Sequence, residues 1–191
     1  MESFNSYLTG IDKDFLKLIC MREGRLVRFE KDDYFTMAGQ VSACVGYIVE
    51  GVFKYVCLSL SEGKECNTGF VFAKEFVADY PGCLYGQPSE ISIQAVTACR
   101  VYVCDSDVLQ SYYNEDVEAQ RKARINAEQL FFQTYTRFLD LYRKTPEERY
   151  RELLHRCPQI LQLVTLKEIA SYLRITPVTM SKIRRKITFS S

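Results

Sequence analysis

The stretch between residues 115 and 144 contains neither glycine nor proline, and it constrains the fold more than any other feature of the chain. Side chains recur along it at steps of four and three residues, a period that predicts one long helix. A first stripe comprises Ala127, Phe131, Thr134, Phe138 and Leu141. A second comprises Ile125, Phe132, Tyr135, Leu139 and Tyr142. We assign the first stripe to a homodimer interface and expect the second to cover the preceding domain; one broad face packed within the chain is the alternative.

The residues before this helix are patterned as short strands. Between Gly24 and Asp105, stretches such as GYIVEGVFKYVCLSL are rich in β-branched and aromatic side chains, and glycines punctuate them at turn positions. This pattern predicts an antiparallel sandwich, roll or barrel. Residues 3–22 have the apolar spacing of short amphipathic helices. The chain is therefore expected to be an α+β protein.

The carboxyl-terminal stretch EIASYLRITPVTMSKIRRKI predicts two short helices joined by a tight turn. Thr165 and Glu168 have the spacing of a capping box, so a helix is expected to begin directly after Thr165. Thr176 is expected to cap the second helix, with Pro177 in its first turn. Two helices, a tight turn and a basic outer face describe a helix-turn-helix whose second helix fits the DNA major groove.

Charge is distributed unevenly along the chain. Residues 144–191 carry 10 Lys/Arg against 4 Asp/Glu, whereas residues 1–143 carry 15 against 20. A basic end on an acidic body is typical of a terminal nucleic-acid-binding domain. We therefore expect a dimer to bind double-stranded DNA at a roughly palindromic site. The alternative is a small-molecule-binding module whose basic tail contacts another protein.

Ten residues of the tail are candidate DNA contacts. The cations would neutralise phosphates, Lys182 is placed to reach base edges, and the hydroxyl groups would donate hydrogen bonds. The ten are Thr165, Lys167, Thr176, Pro177, Val178, Thr179, Ser181, Lys182, Arg185 and Lys186.

Several other classes of protein are disfavoured. The eight cysteines are scattered without a C-x2-C pair, and His155 is the only histidine, so neither a metal site nor another cofactor is expected. No nucleophile–base motif or phosphate loop indicates an enzyme. No apolar run approaches the ~18 residues of a membrane span, and the first residues do not resemble a secretory signal. We expect a cytoplasmic protein.

Three motifs resemble a known family: YIVEGVFKYV, SEGKE and IASYLRIT. The first two are similar to the central hairpin of the cyclic-nucleotide-binding-type β-roll (a double-stranded β-helix) of Crp/Fnr transcription regulators, and the third to their helix-turn-helix. The resemblance implies a β-roll sensor with N-terminal helices over 1–114, a dimerisation helix and hinge over 115–144, and a DNA-binding domain over 145–191. It also implies a small-molecule effector and RNA polymerase as partners.

Arg174 stands where many members have a left-handed glycine. Because the chain ends four residues after Ile187, we expect no C-terminal wing.

The resemblance weakens where a cyclic nucleotide would bind. The segment FVADYPGCLYGQPSEISIQAVTACRVYVC is similar to the family's phosphate-cradling segment. Laid on it without a gap, Asp79 replaces the ribose-binding glutamate, Ser89 replaces the phosphate-binding arginine, and Glu90 follows. A cyclic phosphate is an anion that needs charge-assisted donors, so we expect no binding of cyclic AMP or cyclic GMP. The pocket would hold a neutral or apolar ligand or be filled by its own side chains. Its candidate residues are Phe72, Phe76, Asp79, Tyr80, Tyr85, Ser89 and Glu90.

Overall fold

The computed structural model describes residues 4–5, 14–61 and 63–189, and the predicted α+β order of sheets followed by helices is confirmed within them. The strands are β1 (Arg25–Phe29), β2 (Tyr34–Thr36), β3 (Cys44–Glu50), β4 (Val52–Leu58), β5 (Glu65–Phe72), β6 (Phe76–Val77), β7 (Ser92–Ala95) and β8 (Cys99–Asp105). The helices are α1 (Asp14–Glu23), α2 (Gly82–Tyr85), α3 (Ser106–Tyr113), α4 (Val117–Arg143), α5 (Pro146–Arg156), α6 (Ile160–Leu163), α7 (Leu166–Tyr172) and α8 (Pro177–Phe189). Apart from α1, the helices expected over residues 3–22 lie outside the described residues or, at Phe4 and Asn5, are a turn.

The strands form two antiparallel sheets, in the orders β1–β8–β3–β6 and β2–β7–β4–β5. Both sheets contribute side chains to one buried apolar cluster, so they pack face to face as the roll that the strand pattern predicts. That cluster comprises Ile48, Phe53, Val71, Val77, Ile93, Ala95, Cys99 and Val101.

Gly51 lies where the chain passes from one sheet to the other, between β3 and β4. Its φ of 101° is a conformation that side chains rarely adopt. A Cβ atom built there would approach the Sγ of Cys99 to 2.4 Å and the carbonyl oxygen of Ala98 to 2.6 Å. Both the backbone conformation and the close approach of β8 therefore require glycine at this corner.

The long helix predicted over 115–144 is observed as α4, which spans 27 residues. The Asp116 side chain caps its first turn by accepting a hydrogen bond from the Ala119 amide at 2.7 Å. The helix ends at Arg143, and a capping box between Thr145 and Glu148 begins α5 directly afterwards. The boundary expected at the end of the 115–144 segment thus has a local cause in the sequence.

The carboxyl-terminal helices share one apolar core with the outer face of the β4–β5 hairpin. We call this set the shared cluster; from the hairpin it includes Val52, Phe70 and Phe72. From α5 to α8 it includes Tyr150, Leu153, Cys157, Ile160, Val164, Ile169, Ala170, Leu173, Met180 and Ile183. The helices therefore pack against the roll of their own chain.

Replacing Gly51 with alanine should lower the free energy of unfolding by about 3 kcal/mol or more, because a Cβ would meet backbone and sulfur atoms of β8. Gly63→Ala is the matched control, since its φ is also positive, at 62°, but nothing lies within 4 Å of the added Cβ. The control should lose about 1 kcal/mol. Urea titrations measure both, and equal losses would contradict the close packing at Gly51.

Candidate nucleic-acid interface and ligand cavity

The turn between α7 and α8 has the backbone conformation that the sequence predicts. Arg174 has a φ of 54°, in the left-handed region. Its amide donates to the Ser171 carbonyl at 3.0 Å, and the Ile175 amide donates to the Ala170 carbonyl at 3.0 Å. These bonds close the end of α7, and they offset the cost of about 1 kcal/mol for a non-glycine residue in this conformation.

Helix α8 buries one face and exposes the other. Met180 and Ile183 are 1% and 8% exposed within the shared cluster. All of the predicted DNA contacts on this helix and its cap are exposed, except Thr179, which is half-buried. These contacts are Thr176, Pro177, Val178, Thr179, Ser181, Lys182, Arg185 and Lys186. The two remaining residues, Thr165 and Lys167, are exposed at the start of α7.

Several hydroxyl groups on the exposed face of α8 already form hydrogen bonds within the helix and its cap. The Thr176 hydroxyl caps α8 by accepting from the Thr179 amide at 3.1 Å, and the two hydroxyl groups share a further hydrogen bond of 2.9 Å. The Ser181 hydroxyl donates to the Pro177 carbonyl at 3.0 Å. We therefore expect these groups to reach DNA only where a lone pair or an alternative rotamer is available.

The basic residues of α8 differ in their partners. Lys186 donates to a carboxylate oxygen of Glu147 on α5 at 2.7 Å. Hydrogen bonds from Lys186 and Arg151 hold the pKa of Glu147 below its usual value. Among the described residues, neither Lys182 nor Arg185 forms an ion pair. These two side chains are therefore the cations of this face most available to phosphates.

Polar contacts hold α7 on the β4–β5 hairpin. The Lys54 ammonium lies 3.0 Å from a carboxylate oxygen of Glu168. The Asn67 amide donates to the Ser171 hydroxyl at 2.9 Å, and the Asn67 side chain donates to the Glu168 carbonyl at 3.4 Å. Although burial raises it, hydrogen bonds from Thr165 and Lys54 lower the pKa of Glu168 below its usual value overall. Glu168 thus serves both the cap of α7 and its attachment to the sheet.

The ring of Tyr172 joins three elements. It packs against Phe70 of β5, with ring centroids 5.3 Å apart. Its hydroxyl accepts from two nitrogens of Arg137 on α4, at 3.0 and 2.6 Å, and the guanidinium also lies over the ring. Helix α7 is therefore held by the sheet on one side and by α4 on another.

A cavity of about 430 Å³ lies between the β4–β5–β6 region of the roll and α4. The roll contributes the half-buried Tyr55, whose pKa is raised by desolvation, and Glu75, whose carboxylate accepts from the Phe72 amide at 2.9 Å. Helix α4 contributes a mostly polar wall of Asn126, Gln129, Leu130, Gln133, Thr134 and Arg137. Such a space, with polar groups converging on it, is of the size that holds a small molecule.

Two of the seven residues predicted for the effector pocket, Phe76 and Tyr80, line this cavity. Phe72 does not; its ring packs edge-on against Phe4, with centroids 5.0 Å apart, within the shared cluster.

The other four predicted pocket residues lie away from the cavity lining. The Ser89 hydroxyl donates to the Ile91 carbonyl at 2.7 Å, so it is used within its own loop. Glu90 and Tyr85 are exposed. The Asp79 carbonyl accepts from the Cys83 amide at 2.8 Å at the start of α2. This segment therefore presents no guanidinium or ammonium group to a phosphate.

Sequence reasoning missed the polar wall that α4 presents to the cavity. Asn126, Gln129, Gln133 and Arg137 recur at helical spacing on the side of the helix opposite the two adjacent apolar stripes, and that pattern was the available signal. Gln133 is 9% exposed and donates to the Asn5 side chain at 3.1 Å. Arg137 lines the cavity and also binds Tyr172, so it connects the cavity to α7.

The apolar stripes of α4 point mostly outward. In the predicted dimer stripe, Phe131 and Phe138 are 69% and 50% exposed. The expectation that the second stripe covers the roll is wrong for Phe132, Tyr135 and Tyr142, which are exposed, whereas Ile125 and Leu139 are half-buried. The side chains that α4 does bury are mostly polar, with Gln129, Gln133 and Asp140 among them. Phe131 stacks on Tyr135 with centroids 5.8 Å apart, so the exposed rings form a continuous aromatic surface.

Among the residues that the structure describes, no helix is long and apolar enough to cross a membrane. The same residues contain no cluster of three or more His, Cys, Asp or Glu side chains suited to a metal ion.

Comparison with known proteins finds one matching family model and several structures with a similar fold. Residues 26–116 match the family model of the cyclic nucleotide-binding domain. FixK2 from Bradyrhizobium japonicum is similar in structure, with a TM-score of 0.74, 19% identity and coverage of 87% of this chain and 85% of that one. A CooA mutant from Carboxydothermus hydrogenoformans has a TM-score of 0.71, 15% identity and coverage of 99% and 89%. A CRP/FNR-family transcriptional regulator from Thermus thermophilus has a TM-score of 0.64, 17% identity and coverage of 87% of both chains. No curated protein sequence matches the chain.

Replacing Glu168 with glutamine should test its charge while a capping side chain is kept. Because its pKa is lowered on folding, the carboxylate contributes stability above its unfolded pKa of about 4.5 and loses it as the pH falls through the lowered folded value. Urea titrations should find the native protein about 1 kcal/mol more stable than E168Q at pH 7 and no more stable near pH 3. The control Glu90→Gln, at an exposed site, should differ little at either pH. A constant difference between native protein and E168Q from pH 7 to pH 3 would contradict this role.

Proposed function

We propose that this chain, which contains a cyclic nucleotide-binding domain within the fold of CRP/FNR-family transcription regulators, is a dimeric, sequence-specific DNA-binding transcription regulator. The observation that carries the proposal is the two-faced helix α8. Its apolar face is held in the shared cluster, and its polar and basic face is exposed. A helix presented in this way fits the major groove of B-DNA.

DNA recognition would combine phosphate neutralisation with a small number of base contacts. Lys182 and Arg185 would release counterions from phosphates, and Lys182 would also reach guanine acceptors. The exposed Val178 would pack on a thymine methyl group. Thr165 and Lys167 would add backbone contacts from the start of α7.

Dimerisation would occur through the aromatic surface of α4. Four exposed rings, those of Phe131, Tyr135, Phe138 and Tyr142, follow one another with centroids 5.1 to 6.5 Å apart. A contiguous apolar surface of this kind on a long helix is typical of an interface, because exposing it to water is unfavourable. Two copies joined there would set their recognition helices about one DNA turn (~34 Å) apart, which implies a roughly palindromic operator.

The cavity beside α4 would be the effector site. A ligand there would contact the amide side chains of Gln129 and Gln133 and the guanidinium of Arg137. Because Arg137 also holds the hydroxyl of Tyr172, a ligand that drew the guanidinium into the cavity would weaken the attachment of α7. The effector is not expected to be a cyclic nucleotide, because Ser89 stands where similar regulators that bind one hold its phosphate with an arginine.

Removing two cations from α8 tests DNA binding. A Lys182→Ala, Arg185→Ala variant should bind DNA selected from a random pool more than tenfold more weakly, with the salt slope reduced by about 2 for each bound subunit. An Arg25→Ala, Arg28→Ala variant removes the same charge from exposed sites on β1 and should bind as the native protein does. Electrophoretic mobility shifts at several salt concentrations measure both. Equal weakening in the two variants would indicate a general charge effect and not a recognition helix.

Charged substitutions in the aromatic surface test the dimer. Phe131→Glu combined with Phe138→Glu should give a monomer at micromolar concentration, because four carboxylates would be buried together in the interface. Tyr85→Glu, at a residue 72% exposed on α2, is the control and should remain dimeric. Sedimentation velocity distinguishes the species. A double variant that stays dimeric would place the interface elsewhere.

Calorimetric titration with cyclic AMP tests the ligand expectation. The native protein should release no heat of binding, because no positively charged donor faces the phosphate position beside Ser89. Binding with a micromolar Kd would mean that Arg137 or another cation takes the role of the missing arginine. An Arg137→Gln variant titrated in parallel would then identify it.

A further inference from the structure

Cys57 on β4 and Cys66 on β5 face each other directly across an antiparallel pair of strands. Residues opposed in this way have Cα atoms about 4.5 or 5.5 Å apart, depending on the type of pair, and their side chains lie on the same face of the sheet. Both separations lie within the range of about 4.4 to 6.8 Å that a disulfide spans. A bridge between these two residues therefore needs no movement of one strand past the other.

The two thiols are also accessible to small molecules. Both are free and half-buried. Cys20, Cys83, Cys99, Cys104 and Cys157 are buried, whereas Cys44 is half-buried but lies opposite Asp105 and not opposite a thiol. Burial raises the pKa of these six other thiols, to about 12 for Cys20 and about 11 for Cys83 and Cys157, so they form little thiolate at neutral pH.

The pair lies beside the contact that holds α7 on the sheet. The next register position joins Val56 to Asn67. Asn67 donates its amide proton to Ser171 and its side-chain amide to the Glu168 carbonyl. A disulfide brings Cβ atoms to about 3.8 Å, closer than in most opposed pairs, so its formation would draw β4 and β5 together beside Asn67.

We propose that Cys57 and Cys66 form a reversible disulfide when the protein meets a hydroperoxide, and that this bridge weakens the attachment of α7 to β5. In the first step one thiolate attacks the peroxide, breaks its O–O bond and becomes a sulfenic acid, with hydroxide or alkoxide leaving. In the second step the other thiolate attacks that sulfur, and the sulfenic oxygen leaves as water after protonation. The peroxide gains the two electrons that the thiols lose. An excess of a small dithiol reverses the reaction by exchange.

The consequence for DNA binding rests on the function proposed above. With α7 less firmly attached, the recognition helix would be held less well in register with its symmetry mate. We expect the oxidised protein to bind its selected DNA at least fivefold more weakly than the reduced protein, and we expect a dithiol to restore the affinity.

The bridge itself is tested without DNA. The folded full-length protein is treated with hydrogen peroxide, its remaining thiols are alkylated, and a tryptic digest is examined by mass spectrometry. Cleavage after Lys54 and Lys64 separates Cys57 from Cys66, so a cross-linked pair of peptides identifies the bridge. We expect that pair in native protein and in the control Cys44→Ser, and its absence in Cys57→Ser and Cys66→Ser. Oxidised native protein without a 57–66 cross-link would overturn the proposal.

DNA binding is then compared for oxidised and reduced forms of the same four proteins. Loss of affinity on oxidation in native protein and Cys44→Ser, but not in Cys57→Ser or Cys66→Ser, is the expected result. A 57–66 bridge that leaves affinity unchanged would overturn the link to α7. Failure of the reduced protein to bind any selected DNA would instead contradict the proposed function, and the cross-linking result would still decide whether the thiols pair.

Discussion

The apolar contact between the outer face of the β4–β5 hairpin and the carboxyl-terminal helices fixes which side of α8 is buried and which is exposed. Phe70 and Phe72 are almost fully buried although they point away from the core between the sheets. They are covered by α5 to α8, and in return the apolar side of α8 is covered. Because Met180 and Ile183 must remain in this cluster, Lys182 and Arg185 on the other side of the helix must face outward.

The same contact would make the attachment of the carboxyl-terminal helices sensitive to events in the roll. Strand β5 holds α7 through Asn67 and Phe70, and α4 holds it through Arg137. Arg137 forms part of the cavity wall, and Asn67 follows Cys66 in the strand. A ligand in the cavity and a change at the hairpin thiols would therefore act on the same short helix from two directions.

Local features of the fold could be predicted from the sequence, because their causes lie within a few residues. The capping boxes at Thr145 and Thr165, the cap at Thr176 and the left-handed Arg174 each depend on one turn of chain. The length of α4 followed from the absence of glycine and proline.

Features that depend on distant residues could not be predicted in the same way. Periodicity identified two apolar stripes on α4 but not which side borders the cavity, because that depends on how the roll is placed against the helix. Likewise, the docking of α7 on β5 and the opposition of Cys57 and Cys66 depend on the register of a hairpin that contains a bulge beside Val56. The position of Ser89 outside the cavity could not be predicted for a related reason, since an ungapped comparison with relatives cannot show that its hydroxyl is used within its own loop.

The central claim is that α8, whose apolar side is held against the roll, presents its basic side to the major groove. The α8 helix of a second copy does the same, in register with the first. Selection of bound sequences from a random pool of double-stranded DNA, with the full-length reduced protein, measures this most directly. The account predicts enrichment of an inverted repeat whose half-sites lie about one helical turn, 10 to 11 base pairs, apart centre to centre. Recovery of no enriched sequence, or of a single half-site without symmetry, would contradict it.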